Sequence, residues 1–191
     1  MSEKIFFKSD FFNNKKFLKL IKNHNYVLDF GCGTGTIQTN KKKIYLYDNN
    51  LNVQKYLKKK YKSLGNYHIL RKPLFKRIEV VLFNSVIQYI SEKEFIKISN
   101  KIIKNKINTI IFSDVTKFPR YIEALILFLN NPIKLLKPAK YLFYSEYLKY
   151  NYYFRSQDKL ILRFMKHYNV RILENLNSNK LSRYTILFKI K

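Results

Sequence analysis

Acidic residues are scarce in this sequence: 12 Asp and Glu stand against 38 Lys and Arg in 191 residues, a formal net charge of +26. Cysteine occurs once and histidine three times, glycine and proline four times each, and tryptophan not at all. A lone Cys32 excludes a disulfide framework and suits a reducing compartment. His24, His68 and His167 lie far apart, with no cysteine or carboxylate at ligand spacing, so no metal site is expected. The first residues, Met1 to Lys8, have no long apolar stretch behind their charges and no small-residue cleavage signal. The chain is therefore read as untargeted and cytoplasmic. No apolar run approaches the ~20 residues that span a bilayer. No internal repeat or flexible linker is visible, and the length suits one domain with a substantial core.

The surplus of positive charge invites a nucleic-acid reading, because basic stripes attract phosphate backbones. Composition weakens it. Lys, Asn, Ile, Tyr and Phe make up more than half of the chain, and all five use A/T-rich codons, so base-composition drift alone yields such a protein. Lys far outnumbers Arg, whereas base-edge and bidentate phosphate readers favour Arg. The lysines are also spread along the whole sequence. Drift is preferred here over a polyanion partner.

Of the four glycines, three fall at alternate positions directly after an apolar run, in Val27-Leu28-Asp29-Phe30-Gly31-Cys32-Gly33-Thr34-Gly35-Thr36-Ile37. The pattern predicts a buried parallel strand over Tyr26 to Phe30 that runs into a tight turn and then a helix. Glycine there permits positive φ and lets a ligand reach bare backbone N–H groups. Cys32 supplies the small side chain that such a loop wants. Asp29 stands out, since a carboxylate at the end of a buried strand is costly unless it finds donors. Its candidate partners are the loop amides or a cationic group on a ligand.

The run from Asp29 to Gly35 resembles the first motif of the class I S-adenosylmethionine (SAM)-dependent methyltransferases. A generic dinucleotide fingerprint spaces its glycines G-x-G-x-x-G; here the third glycine comes one residue early and an acid precedes the first by two. The resemblance implies an open, mostly parallel Rossmann-like α/β sheet with helices on both faces and an antiparallel C-terminal strand pair. It also implies SAM as cofactor, with Asp29 by the methionine moiety and the glycines beneath the sugar.

The rest of the chain is read on that frame. Asp10 to Asn23 is an amphipathic helix. Ile44 to Tyr47 is a second strand ending in Asp48, 13 to 17 positions past the loop glycines, near the ~20 at which an acid meets a ribose diol. Asp48 also suits an N-cap of the next helix, Leu51 to Tyr61, a role that Asn49 can take instead. Tyr67 to Leu70 is a third strand. Many relatives carry an acid after it for the adenine amino group, yet no Asp or Glu lies between Asp48 and Glu79. Ile78 to Phe83 is a fourth strand, leading into Asn84-Ser85-Val86-Ile87-Gln88-Tyr89. Asn84 lacks the prolines of the amino-methylating Asn-Pro-Pro-Tyr motif; the segment looks more like the small-molecule branch. Gln88 and Tyr89 are equally read as helix-start residues.

Glu92 to Lys104 is a helix, and Ile107 to Phe112 a fifth strand ending in Ser113 and Asp114. Asp114 is a general base, an orienting group or a loop cap. From about 117 to 155 the pattern changes to an aromatic, lid-like insertion that includes Tyr141, Tyr144 and Tyr147, read as a cap over the site or an interfacial element. Leu160 to Tyr168 is a last helix, and Val170 to Leu173 and Tyr184 to Ile190 close the sheet. The expected cofactor set is Asp29, Gly31, Cys32, Gly33, Gly35, Asp48, Asn49 and Asn84, with Asn84, Ser85 and Asp114 facing the transferred methyl. The expected activity is methyl transfer to a small-molecule or glycan-type acceptor, oxygen favoured over nitrogen. The alternative is an RNA-directed methyltransferase, or a basic nucleic-acid-binding protein on a degenerate form of the fold.

Overall fold

In the computed structural model, the described residues are 14–35, 37, 39–117, 153–173 and 183–191. Seven strands, β1 (Tyr26–Phe30), β2 (Lys43–Tyr47), β3 (Tyr67–Leu70), β4 (Val80–Asn84), β5 (Thr109–Thr116), β6 (Tyr168–Leu173) and β7 (Arg183–Ile190), form one sheet in the order β3-β2-β1-β4-β5-β7-β6. The first five strands are parallel, and β7 runs antiparallel to both β5 and β6. The order reverses between β1 and β4. In open α/β sheets, ligands bind at such a switch point, outside the carboxyl ends of the strands.

Alternation along the strands divides the core in two. Val81 and Phe83 of β4 face a cluster that holds Leu28, Phe112, Phe95, Ile102, Phe164 and Phe188. Val80 and Leu82 face the other, with Phe17, Ile21, Ile44, Leu57 and Ile111. Helices α3 (Glu92–Lys104) and α4 (Gln157–Phe164) cover the first face, and α1 (Asn14–Leu20) and α2 (Leu51–Lys60) the second. Each fully buried Phe or Leu contributes about 1.5–3 kcal/mol relative to exposure, which explains why both faces are apolar in a chain this charged. The helix starts carry local signals. Ser91 accepts from the backbone of Glu94 at 3.2 Å, the Ser-x-x-Glu pattern of a capping box, and Ser156 accepts from Lys159 at 3.3 Å.

Several expectations are corrected. No helix follows the glycine loop among the described residues of 31–42. The stacked rings of Tyr61 and Tyr67, 4.2 Å apart, pack there instead, and the Tyr67 hydroxyl donates to the carbonyl of Ile37 at 3.1 Å. The fifth strand does not stop at Phe112 but continues to Thr116 through a register shift between Phe112 and Val115. The last helix lies at Gln157–Phe164 rather than 160–168, because Ser156 caps it early and Tyr168 already belongs to β6. The lid-like insertion falls mostly on 118–152, with Tyr141, Tyr144 and Tyr147, and lies outside the described residues; so do 10–13 of the first helix. Among the described residues no helix is long and apolar enough to cross a membrane.

Candidate functional site

Three loops meet at the carboxyl edge around the switch point. The first is the glycine loop after β1. Gly31, Gly33 and Gly35 all have positive φ, at 65°, 52° and 71°, so the sequence needs glycine here for conformation. Two of them are also closed in by the protein. A methyl at Gly31 would lie 2.2 Å from Cγ2 of Val86, and one at Gly35 would lie 2.8 Å from the Tyr61 hydroxyl. Burial pushes that hydroxyl well above the usual tyrosine range, and the nearby Tyr67 and Asp29 push the same way. It donates to the carbonyl of Gly35 at 3.2 Å, while the Lys60 ammonium holds the carbonyl of Thr34 at 2.8 Å. The end of α2 thus fixes the loop from below. Cys32 is fully buried with the α1/α2 core, and its backbone N–H is used by the carbonyl of Tyr47 at 2.9 Å.

The second loop follows β2. Asp48 accepts from the backbone of Gly33 at 3.0 Å and of Asn50 at 2.9 Å. Those bonds aim the carboxylate across the carboxyl edge at the glycine loop. An ionised carboxylate has about four acceptor positions, so the pair of backbone bonds leaves capacity for a vicinal diol. The cap of α2 is neither Asp48 nor Asn49: the Asn50 side chain accepts from Asn52 at 2.8 Å and Val53 at 3.4 Å. Asn49 is exposed at the rim.

The third group joins β4 to β5. Asn84 is buried opposite Ser113. Ser85 and Asp114 both adopt left-handed backbone, with φ of 52° and 57°, a conformation that costs non-glycine residues about 1–3 kcal/mol and gathers at functional sites. The β5 irregularity that lets Asp114 leave the ladder is the device by which sheets re-aim a side chain next to active sites. The Ser85 hydroxyl donates to Asp114 Oδ2 at 2.6 Å. Arg183 of β7 donates to the Asp114 carbonyl at 3.0 Å and has its guanidinium 3.9 Å from the carboxylate. Gln88 braces the carbonyl of Ser85 at 3.0 Å. Its own side-chain oxygen is buried with no hydrogen-bond partner among the described residues. Residues 87–89 form one 3₁₀ turn, not a helix start.

Behind this edge sits Arg155, buried and donating to the carbonyls of Ile87 at 2.8 Å and Ile90 at 2.7 Å, with Glu92 at 3.2 Å. Burial lowers its affinity for a proton and Glu92 partly restores it. Sequence reasoning missed Arg155, Arg183 and Val86. Their partners lie tens of residues away, and nothing in their own neighbourhoods marks them.

The candidates thus converge in two sets: the glycine loop with Asp48, and Asn84 with Ser85 and Asp114. Asp29 is fully buried in β1 between Leu46 and Leu82. Among the described residues no group of His, Cys, Asp and Glu could hold a metal ion.

No family model and no curated protein matches the sequence. Solved structures do match. Magnesium protoporphyrin IX methyltransferase of Synechocystis PCC 6803, with SAM bound, superposes with a TM-score of 0.62 at 10% identity, over 93% of this chain and 78% of that one. The N-methyltransferase NodS of Bradyrhizobium japonicum WM9 gives 0.62 at 7% identity, over 93% of each chain. A SAM-dependent methyltransferase of Aquifex aeolicus gives 0.59 at 16% identity, over 95% of this chain and 91% of that one. This is the class I methyltransferase fold. At such low identity the likeness establishes the architecture alone; both residue sets lie at the carboxyl edge of its sheet.

Proposed function

We propose that the protein is a SAM-dependent methyltransferase acting on a small-molecule or glycan-type acceptor, with oxygen favoured over nitrogen as the nucleophile. One observation carries the cofactor assignment: the Asp48 carboxylate is held by the Gly33 N–H beyond β2, aimed at the glycine loop. A dinucleotide-binding fold would place a helix N-terminus behind that loop for the pyrophosphate. Among the described residues the loop is backed by Tyr61 and Lys60 instead. A cofactor with a ribose diol fits this arrangement. The solved proteins of this fold support it, since two of them were captured with SAM or its demethylated product.

When bound, SAM supplies a methyl group on a sulfonium, already a strong electrophile. The chain's own work is to bind, align and shield. Asp48 would accept the ribose hydroxyls, and Gly31 and Gly35 let the loop pack closely on Val86 and Tyr61. Asp29 places a carboxyl group within β1, below the loop. Past β3 come Arg71 and Lys72, so no carboxylate from that turn reaches an adenine amino group.

The preference for oxygen rests on Asp114. Its carboxylate already accepts one hydroxyl hydrogen bond, from Ser85, and Arg183 lies against it. A neutral amine attacks with its own lone pair before any proton moves. A hydroxyl gains most from a carboxylate poised to take the proton. Titration calorimetry with S-adenosylhomocysteine tests the cofactor assignment; no heat at millimolar ligand overturns it.

A further inference from the structure

Exposed lysines cover helix faces and both edges of the sheet, whereas the few acids are sorted sharply. Asp29, Asp48, Asp114, Glu92, Glu94 and Asp158 all belong to the carboxyl half of the molecule: in or beyond strand ends, or in the first turns of α3 and α4 that follow them. Glu94 is close enough to Tyr47, at the end of β2, to push its hydroxyl upward, after burial and ahead of Asp48. Among the described residues only Glu79 lies at the amino edge. There its carboxylate is engaged by the backbone N–H groups of Asn25 and Tyr26.

The same edge carries exposed cations in the turns ahead of nearly every strand, among them Lys22, Lys41, Arg77, Lys106 and Lys166, and at the start of β2, Lys43. Helix dipoles account for some, since Lys22, Lys106 and Lys166 stand just past the ends of α1, α3 and α4. They do not account for Lys41, Lys43 or Arg77, because no helix ends there among the described residues. Drift in base composition adds lysines everywhere and does not sort acids to one side.

A cavity of about 420 Å³ opens at this edge, lined by Lys41, Lys42 and Lys43 and by the amides of Asn25, Asn40 and Asn66. Lys42 is built into its wall, its ammonium capping the carbonyls of Ile21, Lys22 and His24. The Lys43 ammonium lies 5.7 Å from the centre of the Tyr26 ring, which borders the same cavity.

We propose that the amino-terminal edge of the sheet is a docking surface for the phosphate backbone of a nucleic acid, on the opposite side of the protein from the cofactor edge. Across seven strands spaced ~4.8 Å apart the edge is about 29 Å long, the rise of ~8 base pairs at 3.4 Å each. Point-charge lysines with few arginines neutralise phosphates without reading bases, so binding is indifferent to sequence. An anionic bilayer fits less well. The exposed apolar residues here are Leu64 before β3 at one margin of the sheet, and Met165 before β6 with Ile190 at the end of β7 at the other, so no apolar patch runs along the edge. A five-residue strand separates the two edges by ~16 Å. Nucleotides held at the amino edge are therefore not the group presented for methylation, and the surface serves to localise the enzyme.

The test is fluorescence anisotropy over a salt series, with a labelled single-stranded RNA, a duplex DNA of the same sequence, and phosphatidylserine vesicles. Lys22→Glu, Lys41→Glu and Lys43→Glu together should lower nucleic-acid affinity at least ~10-fold and reduce the slope of log K against log salt by about 2–3. The control set Lys55→Glu, Lys93→Glu and Lys97→Glu, with the same charge change on helix faces, should stay within ~2-fold of the parent. Equal losses in both sets, no loss in the first, or tighter binding to vesicles than to either nucleic acid would overturn the proposal. The RNA and DNA arms tell which polymer is preferred. Far-UV circular dichroism checks folding, and a Lys→Gln set at the same positions must rank the same way. S-adenosylhomocysteine titration is run beside each variant. A parent that binds nucleic acid but no S-adenosylhomocysteine removes the methyltransferase reading and leaves this one standing.

Discussion

Replacing Gly31 with alanine should break the contact between the glycine loop and the loop after β4, and the damage should be partly repaired by trimming Val86. The new methyl would sit 2.2 Å from Val86 Cγ2 and 3.3 Å from Cγ1, on backbone at φ +65°. Left-handed backbone costs an alanine about 1–2 kcal/mol, and overpacking of this kind about 1–3 kcal/mol. Gly31→Ala should therefore lose ~2–5 kcal/mol of stability, a large share of a typical domain's total of about 5–15 kcal/mol. Val86→Ala alone should cost about 1 kcal/mol, the loss of partly buried methyls. In the double variant both γ-carbons are gone and the nearest remaining atom is Val86 Cβ at 3.0 Å. The steric part then largely vanishes while the conformational part stays. The double variant should thus be as stable as Gly31→Ala or more so, with a coupling of about 1–3 kcal/mol in the rescuing direction. Urea unfolding of the four proteins, followed by circular dichroism, measures it. Additivity within ~0.5 kcal/mol would show that the two loops do not touch.

Three further outcomes are expected. Asp48→Asn should weaken S-adenosylhomocysteine binding by about 1–3 kcal/mol, the cost of leaving ribose hydroxyls without their acceptor, and calorimetry at fixed salt reads it; unchanged affinity would reduce Asp48 to a brace for Gly33 and Asn50. Asp114→Asn should lower kcat by about 100-fold or more on a hydroxyl acceptor while leaving S-adenosylhomocysteine affinity nearly unchanged. A parallel loss of cofactor affinity would assign Asp114 to the wrong set. His24 is held below its ordinary value of 6.5, first by burial and then by Lys42 and Lys189, with Glu79 opposing. On acidification the unfolded chain takes up this proton first, so stability falls as pH drops below 6.5. The melting temperature of His24→Gln should decline less over that window than the parent's.

Much of the ligand edge was legible because its signals are local. Three glycines at alternate positions after an apolar run require a strand and a turn whatever the rest of the chain does, and all three have the positive φ that glycine supplies. Asp48 stands directly after a β-branched and aromatic strand, so its place at the carboxyl edge followed from the strand's direction. Ser91 and Ser156 mark helix starts through their own side chains. The helix expected after the glycine loop failed for a non-local reason. Tyr61 and Tyr67 come from later elements, and their hydroxyls hold the carbonyls of Gly35 and Ile37.

The sequence alone determined the parallel core, the glycine turn and the acid beyond β2, since each depends on residues a few positions apart. Only the tertiary structure decided that Asp114 leaves the β5 ladder, meets the Ser85 hydroxyl and takes Arg183 as its neighbour, because antiparallel register joins residues 69 positions apart. It alone sorted the charges as well. Lysines spread evenly along the sequence recur in the turns ahead of strands, and parallel strands bring all of those turns to one edge of the sheet.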